Sequence, residues 1–211
     1  MADGIPADAD AFFAELEDNN DRDWWAANAD RWRRSVRQPM EWLCEELSGE
    51  FGEAKLFRPH RDVRFSPDKA PYKSHQGALV HTSPGVGLYV QVSSGGLLTG
   101  TGWWSPERSQ LDAYRAAVLE DSTGDALARI VAELESAGAE VHGDRLRTAP
   151  RGVDQRHPRI ELLRHRTLLV SMDHGSPDWL ATPEVVERVR ADWRGFGALN
   201  KWLAVHLGGA R

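Results

Sequence analysis

The spacing of the apolar residues changes twice along the chain, and this change constrains the fold more strongly than any other feature. Residues 8–52 carry apolar side chains at helical spacing, for example Phe12 and Leu16. Residues 57–104 alternate between apolar and polar side chains, and helical spacing returns after Ser105. We therefore expect an α+β protein in which N-terminal, middle and C-terminal helices wrap a mainly antiparallel sheet.

The middle segment predicts a four-stranded meander, because short turn sequences separate its strand-like stretches. The turns are "SPDKAP", "TSPG" and the Gly95-Gly96 pair, which combine proline, glycine and small polar residues. After Ser105 the pattern indicates helices together with one or two further strands, such as the apolar run "RTLLVSM". No repeat or linker is visible in the sequence, so we predict a single domain over residues 8–207.

Composition excludes several classes of protein. The 211 residues include one cysteine, Cys44, so no intrachain disulfide can form, which fits a reducing compartment. The N-terminal "MADGIPADADAFF" lacks the basic start of a signal peptide, and no apolar run approaches the roughly 20 residues of a membrane span. The net charge of −6 argues against general nucleic-acid binding. We therefore expect a soluble, cytoplasmic protein without a membrane partner and without general nucleic-acid binding, although a local basic patch stays compatible with this charge.

The stretch "RDVRFSPDKAPYKSHQG", residues 61–77, concentrates basic side chains in an otherwise acidic chain. If residues 66–71 form the loop of a hairpin, the simplest register pairs Phe65 with Tyr72. Side chains on the two strands then alternate between an apolar face and a charged face. The charged face is the feature of this hairpin that bears on function.

In this register the charged face contains Asp62, Arg64, Lys73 and His75, with Arg64 directly opposite Lys73. Cations that face each other across two strands repel unless a negative group lies between them. Asp62 alone cannot neutralise this set. Arginine offers a planar fork and lysine a point charge for a phosphate or carboxylate, so we predict a basic cleft that binds an anionic small molecule.

The residues of the predicted site have two roles. His75 and Asp62 are the candidate catalytic residues, because an aspartate can orient an imidazole for proton transfer. The candidate ligand-binding residues of the hairpin are the cations Arg61, Arg64, Lys69 and Lys73. We expect Arg64→Ala to abolish anion binding and to leave the fold intact.

The sequence also resembles a known family, the domain of unknown function 2461 family of bacteria and fungi. The stretches "NNDRDWWAANADRWRRSVRQPM" and "RDVRFSPDKAPYKSH" resemble its N-terminal block and its central signature. "GLYVQVSSGG" and "APRGVDQRHPRIELLR" resemble later blocks, so the resemblance covers about residues 10–206. Trp25 and Trp32 stand where Phe and Tyr are usual. The family has no assigned activity to carry over.

The resemblance implies that the block from Asn20 to Asn28 belongs with the hairpin. Arg22 and Asn28 would then line the same cleft as further ligand-binding residues. The alternative is that Arg22 belongs to the N-terminal cap of a helix and that Asn28 is an amide on the helix surface.

Three interpretations of the basic stretch stay open at this stage. The first is a small-molecule anion site, with or without acid/base catalysis. The second is a non-catalytic module for a nucleic acid or an acidic protein, which would use the cations and an exposed ring of the Trp103-Trp104 pair. The third is a structural ion network without a ligand. The sequence defines no cofactor, reaction or oligomeric state, and its histidines show no metal-ligand spacing.

Overall fold

The structure is a computed structural model that describes residues 3–64 and 67–207. Its helices are α1 (Asp8–Asp18), α2 (Arg22–Trp32), α3 (Gln38–Phe51), α4 (Arg108–Leu119), α5 (Asp121–Ser136), α6 (Ile160–Leu163), α7 (Glu184–Gly195) and α8 (Gly197–Leu207). Its strands are β1 (Lys55–Leu56), β2 (His75–Ser83), β3 (Val86–Ser93), β4 (Gly96–Trp103), β5 (Glu140–His142) and β6 (Leu168–Gly175).

Within the described residues the strands form one antiparallel sheet in the order β1-β2-β3-β4-β6-β5. Strands β2, β3 and β4 are neighbours both in the chain and in the sheet, as a meander requires. Strand β5 pairs with β6 in antiparallel fashion, with Val141 opposite Val170. The α+β class and the antiparallel meander are therefore confirmed.

The first strand of the meander lies earlier in the chain than predicted. Strand β1 consists of Lys55 and Leu56, which lie opposite Leu79 and Ala78 of β2. The residues expected to extend this strand, 57–64, are largely irregular in the part that the structure describes. Phe65 and Ser66, which the predicted hairpin placed at its turn, lie outside the described residues.

The chain divides into two compact units. The first comprises residues 1–80, 89–99 and 173–191, and the second comprises residues 81–88, 100–172 and 192–211, of which the structure describes the ranges given above.

In the first unit, α1 and α3 contribute fully buried residues to the core, among them Phe12, Leu16, Met40 and Leu43. These are the residues that helical periodicity places on one face of each helix. Asp21 caps α2, because its carboxylate accepts hydrogen bonds from two backbone N–H groups of the first turn at 2.9 and 2.8 Å. The cap fixes where the chain turns from α1 into α2.

Helices α2 and α3 are joined by a π-helical segment, Arg33–Arg37, rather than by a break. Pro39 follows directly within the first turn of α3. Proline has no backbone N–H and cannot bond to the carbonyl four residues earlier, so the wider π turn falls where the α-helical pattern is interrupted. Residues 22–51 therefore form one continuous helical segment that precedes β1 in the chain.

In the second unit, aromatic rings from α4, α8 and β4 form the centre of the core. Trp103 and Tyr114 are fully buried, and their ring centroids lie 5.5 Å apart. Trp202 meets Tyr114 edge to face at 6.0 Å. Such offset and edge contacts add to the burial of large apolar surface.

Candidate functional site

The segment between β1 and β2 folds back on itself, but its register differs from the predicted one. His60 lies opposite Tyr72 in an antiparallel bridge. Two backbone hydrogen bonds of 2.8 Å flank this bridge, from Arg61 N to Pro71 O and from Lys73 N to Pro59 O. Tyr72 is therefore paired with His60, and Arg64 does not lie opposite Lys73, while the predicted partner Phe65 lies outside the described residues.

Asn20 accounts for the observed register. Its side-chain amide contacts the backbone of Tyr72 twice: Oδ1 accepts from Tyr72 N and Nδ2 donates to Tyr72 O, both at 3.0 Å. The ring of Tyr72 also stacks on Trp25, with 4.1 Å between the ring centroids and 9° between the ring planes. The amide thus takes the place of a neighbouring strand. The alternation of apolar and polar residues cannot reveal this contact, because it shows which residues share a face of a strand and not which distant side chain bonds to the strand's backbone.

A cleft of about 550 Å³ lies beside Tyr72, and all of its lining residues belong to the first unit. Three predicted site residues line it, namely Arg61, Lys73 and His75. The other lining residues are Glu17, Asn20, Asp68, Ala70, Tyr72 and Ser74. Because the cleft holds charges of both signs, the pairing of those charges decides what it can bind.

The charge of Arg61 is matched inside the cleft. Its guanidinium forms an ion pair with Asp68. This hydrogen bond, together with one from the backbone N–H of Ala70 at 2.9 Å, lowers the pKa of the Asp68 carboxyl. The pair joins the two ends of the segment between Arg61 and Asp68, as a structural ion network would.

The charge of Lys73 is not matched in this way. Its Nζ lies 5.0 Å from the centroid of the Phe57 ring, which is a cation–π contact. Among the described residues, no carboxylate lies within 4.0 Å of this ammonium group. Burial, and in addition the nearby Arg58, lowers the pKa of Lys73. A partly desolvated cation without a counter-ion is a favourable partner for an anion.

His75 begins β2, two residues after Lys73, and its ring is half-buried. In the ranges 3–64 and 67–207 the ring has no hydrogen-bond partner. Burial, and to a smaller extent the charge of Lys73, lowers the pKa of His75 below its ordinary value of 6.5. The imidazole is therefore neutral at pH 7 and can accept a proton from a ligand.

Comparison with known proteins places the chain in one family. The family model described as a conserved hypothetical protein, DUF2461, matches residues 8–202. The chain belongs to the DUF2461 family. No curated protein and no solved structure shows a significant match to it. The resemblance seen in the motifs is confirmed, and the part of this DUF2461 chain that matches contains every residue of the cleft.

Two predicted site residues of this DUF2461 protein pair with each other away from the described lining of the cleft. Arg64 donates to Asp62 through Nε at 2.9 Å and through Nη2 at 2.7 Å. The Arg64 side chain is 77% exposed, and its hydrogen bond lowers the pKa of Asp62. The predicted pair of Asp62 with His75 is not formed among the described residues. The imidazole consequently has no carboxylate there to fix its tautomer.

The other three predicted ligand-binding residues also lie away from the lining that the structure describes. Lys69 donates through Nζ to a backbone carbonyl of its own loop at 3.1 Å. Arg22 is exposed at the start of α2. Asn28 donates to the carbonyl of Trp24 at 2.9 Å, one helical turn earlier. Asn20 is the residue of this DUF2461 block that reaches the cleft.

Sequence reasoning missed Glu17, Asp68 and Ser74 as lining residues, and it did not predict the two hydrogen bonds by which Asn20 clamps the backbone of Tyr72. A signal for Asn20 was present in the sequence. Two asparagines precede Asp21, and a helix needs one N-cap, so a polar side chain is left over at this junction. Glu17 gave no such signal, because an exposed acid near the end of a helix is common.

The ranges 3–64 and 67–207 contain neither a metal-ligand cluster nor a membrane-spanning helix. No group of three or more His, Cys, Asp or Glu side chains in these ranges is placed to hold a metal ion. None of the helices described there combines the length and the apolar character needed to cross a bilayer.

Proposed function

We propose that this DUF2461 protein binds a phosphate- or carboxylate-bearing small molecule in the cleft lined by Arg61, Lys73 and His75. One observation carries the proposal: the ammonium group of Lys73 has no carboxylate within ion-pair distance in the described part of the chain. Lys73 differs in this respect from Arg61 and Arg64, which both form ion pairs with aspartates.

The charges around the cleft support an anion rather than a cation as the ligand. Asp68 is already paired with Arg61. Glu17 is exposed and accepts a hydrogen bond from Ser94 Oγ at 2.8 Å. Neither carboxylate forms an ion pair with Lys73, so its ammonium group has donors to spare, and such donors bind phosphate or carboxylate oxygens well.

The size of the cleft supports a metabolite rather than a single inorganic ion. A volume of about 550 Å³ lies within the range of roughly 300–1,000 Å³ that is common for small-molecule sites. Ser74 adds a hydroxyl group to the lining, next to Lys73. A ligand would therefore place its anionic group at Lys73 and extend from there along the polar wall.

His75 is the residue of the cleft that would exchange a proton with a bound ligand. Its neutral imidazole lies beside the proposed anion position, and its pKa would rise when a negative group binds. Because no carboxylate orients the ring, we assign His75 a proton-sharing contact with the ligand, and any acid/base catalysis would start from this contact.

A structural role is the better account of the two arginines. Arg61 and Arg64 both have aspartate partners within a few residues along the chain. These pairs favour the interpretation of a structural ion network for that part of the segment. No observation favours an exposed stacking ring at the Trp103-Trp104 pair, since Trp103 is fully buried and Trp104 is half-buried beside His81.

The test is calorimetric titration of the full chain with inorganic phosphate, pyrophosphate and citrate. We expect at least one of these probes to bind, and we expect Lys73→Met to weaken that binding by about tenfold or more, as a lost charge-assisted contact implies. Lys201→Met removes an exposed lysine of α8 and serves as the matched control, with unchanged affinity.

A third variant, Arg64→Ala, distinguishes the observed strand register from the predicted one. Arg64→Ala should change the affinity less than about twofold, because Arg64 is exposed and paired with Asp62. The proposal fails if none of the probes binds, or if Lys73→Met binds as the wild type does. A loss of binding in Arg64→Ala, with Lys73→Met unaffected, would place the anion at Arg64 and not at Lys73.

A further inference from the structure

We propose that the second unit contains a separate binding site for an uncharged small molecule with an apolar body and one hydrogen-bond donor, which binds Nε2 of His165. The site is a cavity of about 270 Å³. His165 lines it together with apolar side chains that include Val131, Val141 and Leu162. This inference does not depend on the anion cleft, whose lining residues belong to the first unit.

His165 is a buried polar residue with one ring nitrogen in use. The residue is 3% exposed, and its Nδ1 lies 2.8 Å from the carbonyl oxygen of Thr167. A carbonyl can only accept, so Nδ1 carries the proton and Nε2 carries a lone pair. In the described part of the chain no residue donates to Nε2. Burial lowers the pKa of His165, which keeps the ring neutral and Nε2 an acceptor.

Both arginines of the cavity lining have carboxylate partners. Arg145 forms an ion pair with Glu161, and Arg159 is engaged by Asp121 and Asp125 of α5. The remaining charged residue of the lining, Glu135, is exposed on α5. Both arginines of the lining are therefore already paired with carboxylates, so neither is available to bind an anionic ligand. An uncharged ligand needs no further counter-charge in this site.

The apolar wall and the volume define the size of the ligand. Val131 and Leu162 are buried, and they offer a ligand close packing contacts at the apolar wall. An apolar cavity of about 150 Å³ is large enough for benzene. A cavity of about 270 Å³ therefore holds a single substituted ring, and the hydroxyl of a phenol is the simplest donor for Nε2.

Phenol and toluene form a matched pair of probes, because they differ in the donor group and hardly in shape. We expect phenol to bind about fivefold to tenfold more tightly than toluene, as one buried hydrogen bond implies. Titration of the full chain is followed by NMR through the methyl groups of Val131 and Leu162. The ¹⁵N resonance of His165 Nε2 should shift with phenol and stay in place with toluene.

His165→Asn is the matched variant, because the asparagine amide keeps an N–H group in the position of Nδ1 and removes Nε2. Its preference for phenol over toluene should disappear. The proposal is overturned if neither probe shifts the methyl resonances, if both bind equally to the wild type, or if phenol binds without moving the Nε2 resonance. The last two outcomes need no variant, so a folding defect in His165→Asn does not weaken the test.

Discussion

Lys73 and Arg159 are both cations withdrawn from bulk water, yet their surroundings differ in kind. The Arg159 side chain is 7% exposed and donates to Asp121 and to the Val118 carbonyl at 2.8 Å each, with a further ion pair to Asp125. Lys73 has an aromatic ring beside it and no carboxylate among the described residues. A cation whose donors are nearly all used stabilises the fold, whereas one with donors to spare can bind a ligand.

The difference follows from the helix ends around Arg159. Its guanidinium lies where α4 ends and α5 begins, and it bonds the carbonyls of Val118 and Leu119 at the end of α4. The last carbonyls of a helix have no partner within the helix, so this arginine supplies what the backbone lacks. Among the described residues, the ammonium group of Lys73 donates to no backbone carbonyl, and its donors are correspondingly available.

The largest expected effect is on stability, from Arg159→Met. Removal of the guanidinium leaves the end of α4 without its partners, and we expect the midpoint of thermal unfolding to fall by roughly 5–10 °C. Arg159→Lys, which keeps the charge and loses the planar fork, should recover part of this loss. Lys73→Met should not lower the midpoint. Equal losses in Arg159→Met and Lys73→Met would show that both cations are structural.

A smaller effect is expected from Gly124→Ala, which tests the space that Arg159 requires. A Cβ atom at Gly124 would lie 2.2 Å from the carbonyl oxygen of Val118 and 2.6 Å from Arg159 Nε. We expect a loss of about 1–3 kcal/mol in the free energy of unfolding, measured with urea, although alanine is the better helix former. Gly49→Ala in α3 is the control, since no atom lies within 4 Å of its Cβ, and it should stabilise by up to about 1 kcal/mol. A stabilising Gly124→Ala would contradict the described packing.

The smallest expected effect is the dependence of anion affinity on pH. The pKa of His75 lies below 6.5 in the free protein, and a bound anion raises it, so binding takes up a proton. Affinity for sulfate, which keeps its charge, should therefore rise as the pH falls from about 8 to about 5.5. His75→Gln should remove this dependence. A flat profile in the wild type would place His75 out of contact with the anion.

The sequence predicted the parts of the fold that depend on local pattern. Alternation identified β3 and β4, and the apolar run "RTLLVSM" identified β6. The start of α4 was predicted less well. The Ser105-Pro106 pair suggests that the helix starts at these residues. In the structure Glu107 is the N-cap, and its backbone N–H donates to the side chain of Gln110. Both patterns are local, and the reciprocal capping by Glu107 and Gln110 marks the observed boundary.

The candidate site was less predictable, because its geometry depends on contacts between distant residues. The sequence located the segment and named Arg61, Lys73 and His75, which share the cleft. It placed Arg64 and Asp62 there as well, since the assumed register ignored the clamp of Asn20 on Tyr72. The partners of Arg61 and Arg64 were also out of reach, because a sequence does not tell which aspartate a flexible guanidinium will meet.

The double hydrogen bond of Asn20 has a mechanical consequence for the cleft. A side chain that imitates a peptide group ties the position of Tyr72 to the junction of α1 and α2, which is 52 residues away in the chain. Any tilt of those helices would be transmitted to Tyr72 and to its neighbour Lys73. The position of Lys73 in the cleft is thus tied to the side-chain amide at the junction of α1 and α2, in addition to its own backbone hydrogen bond with Pro59.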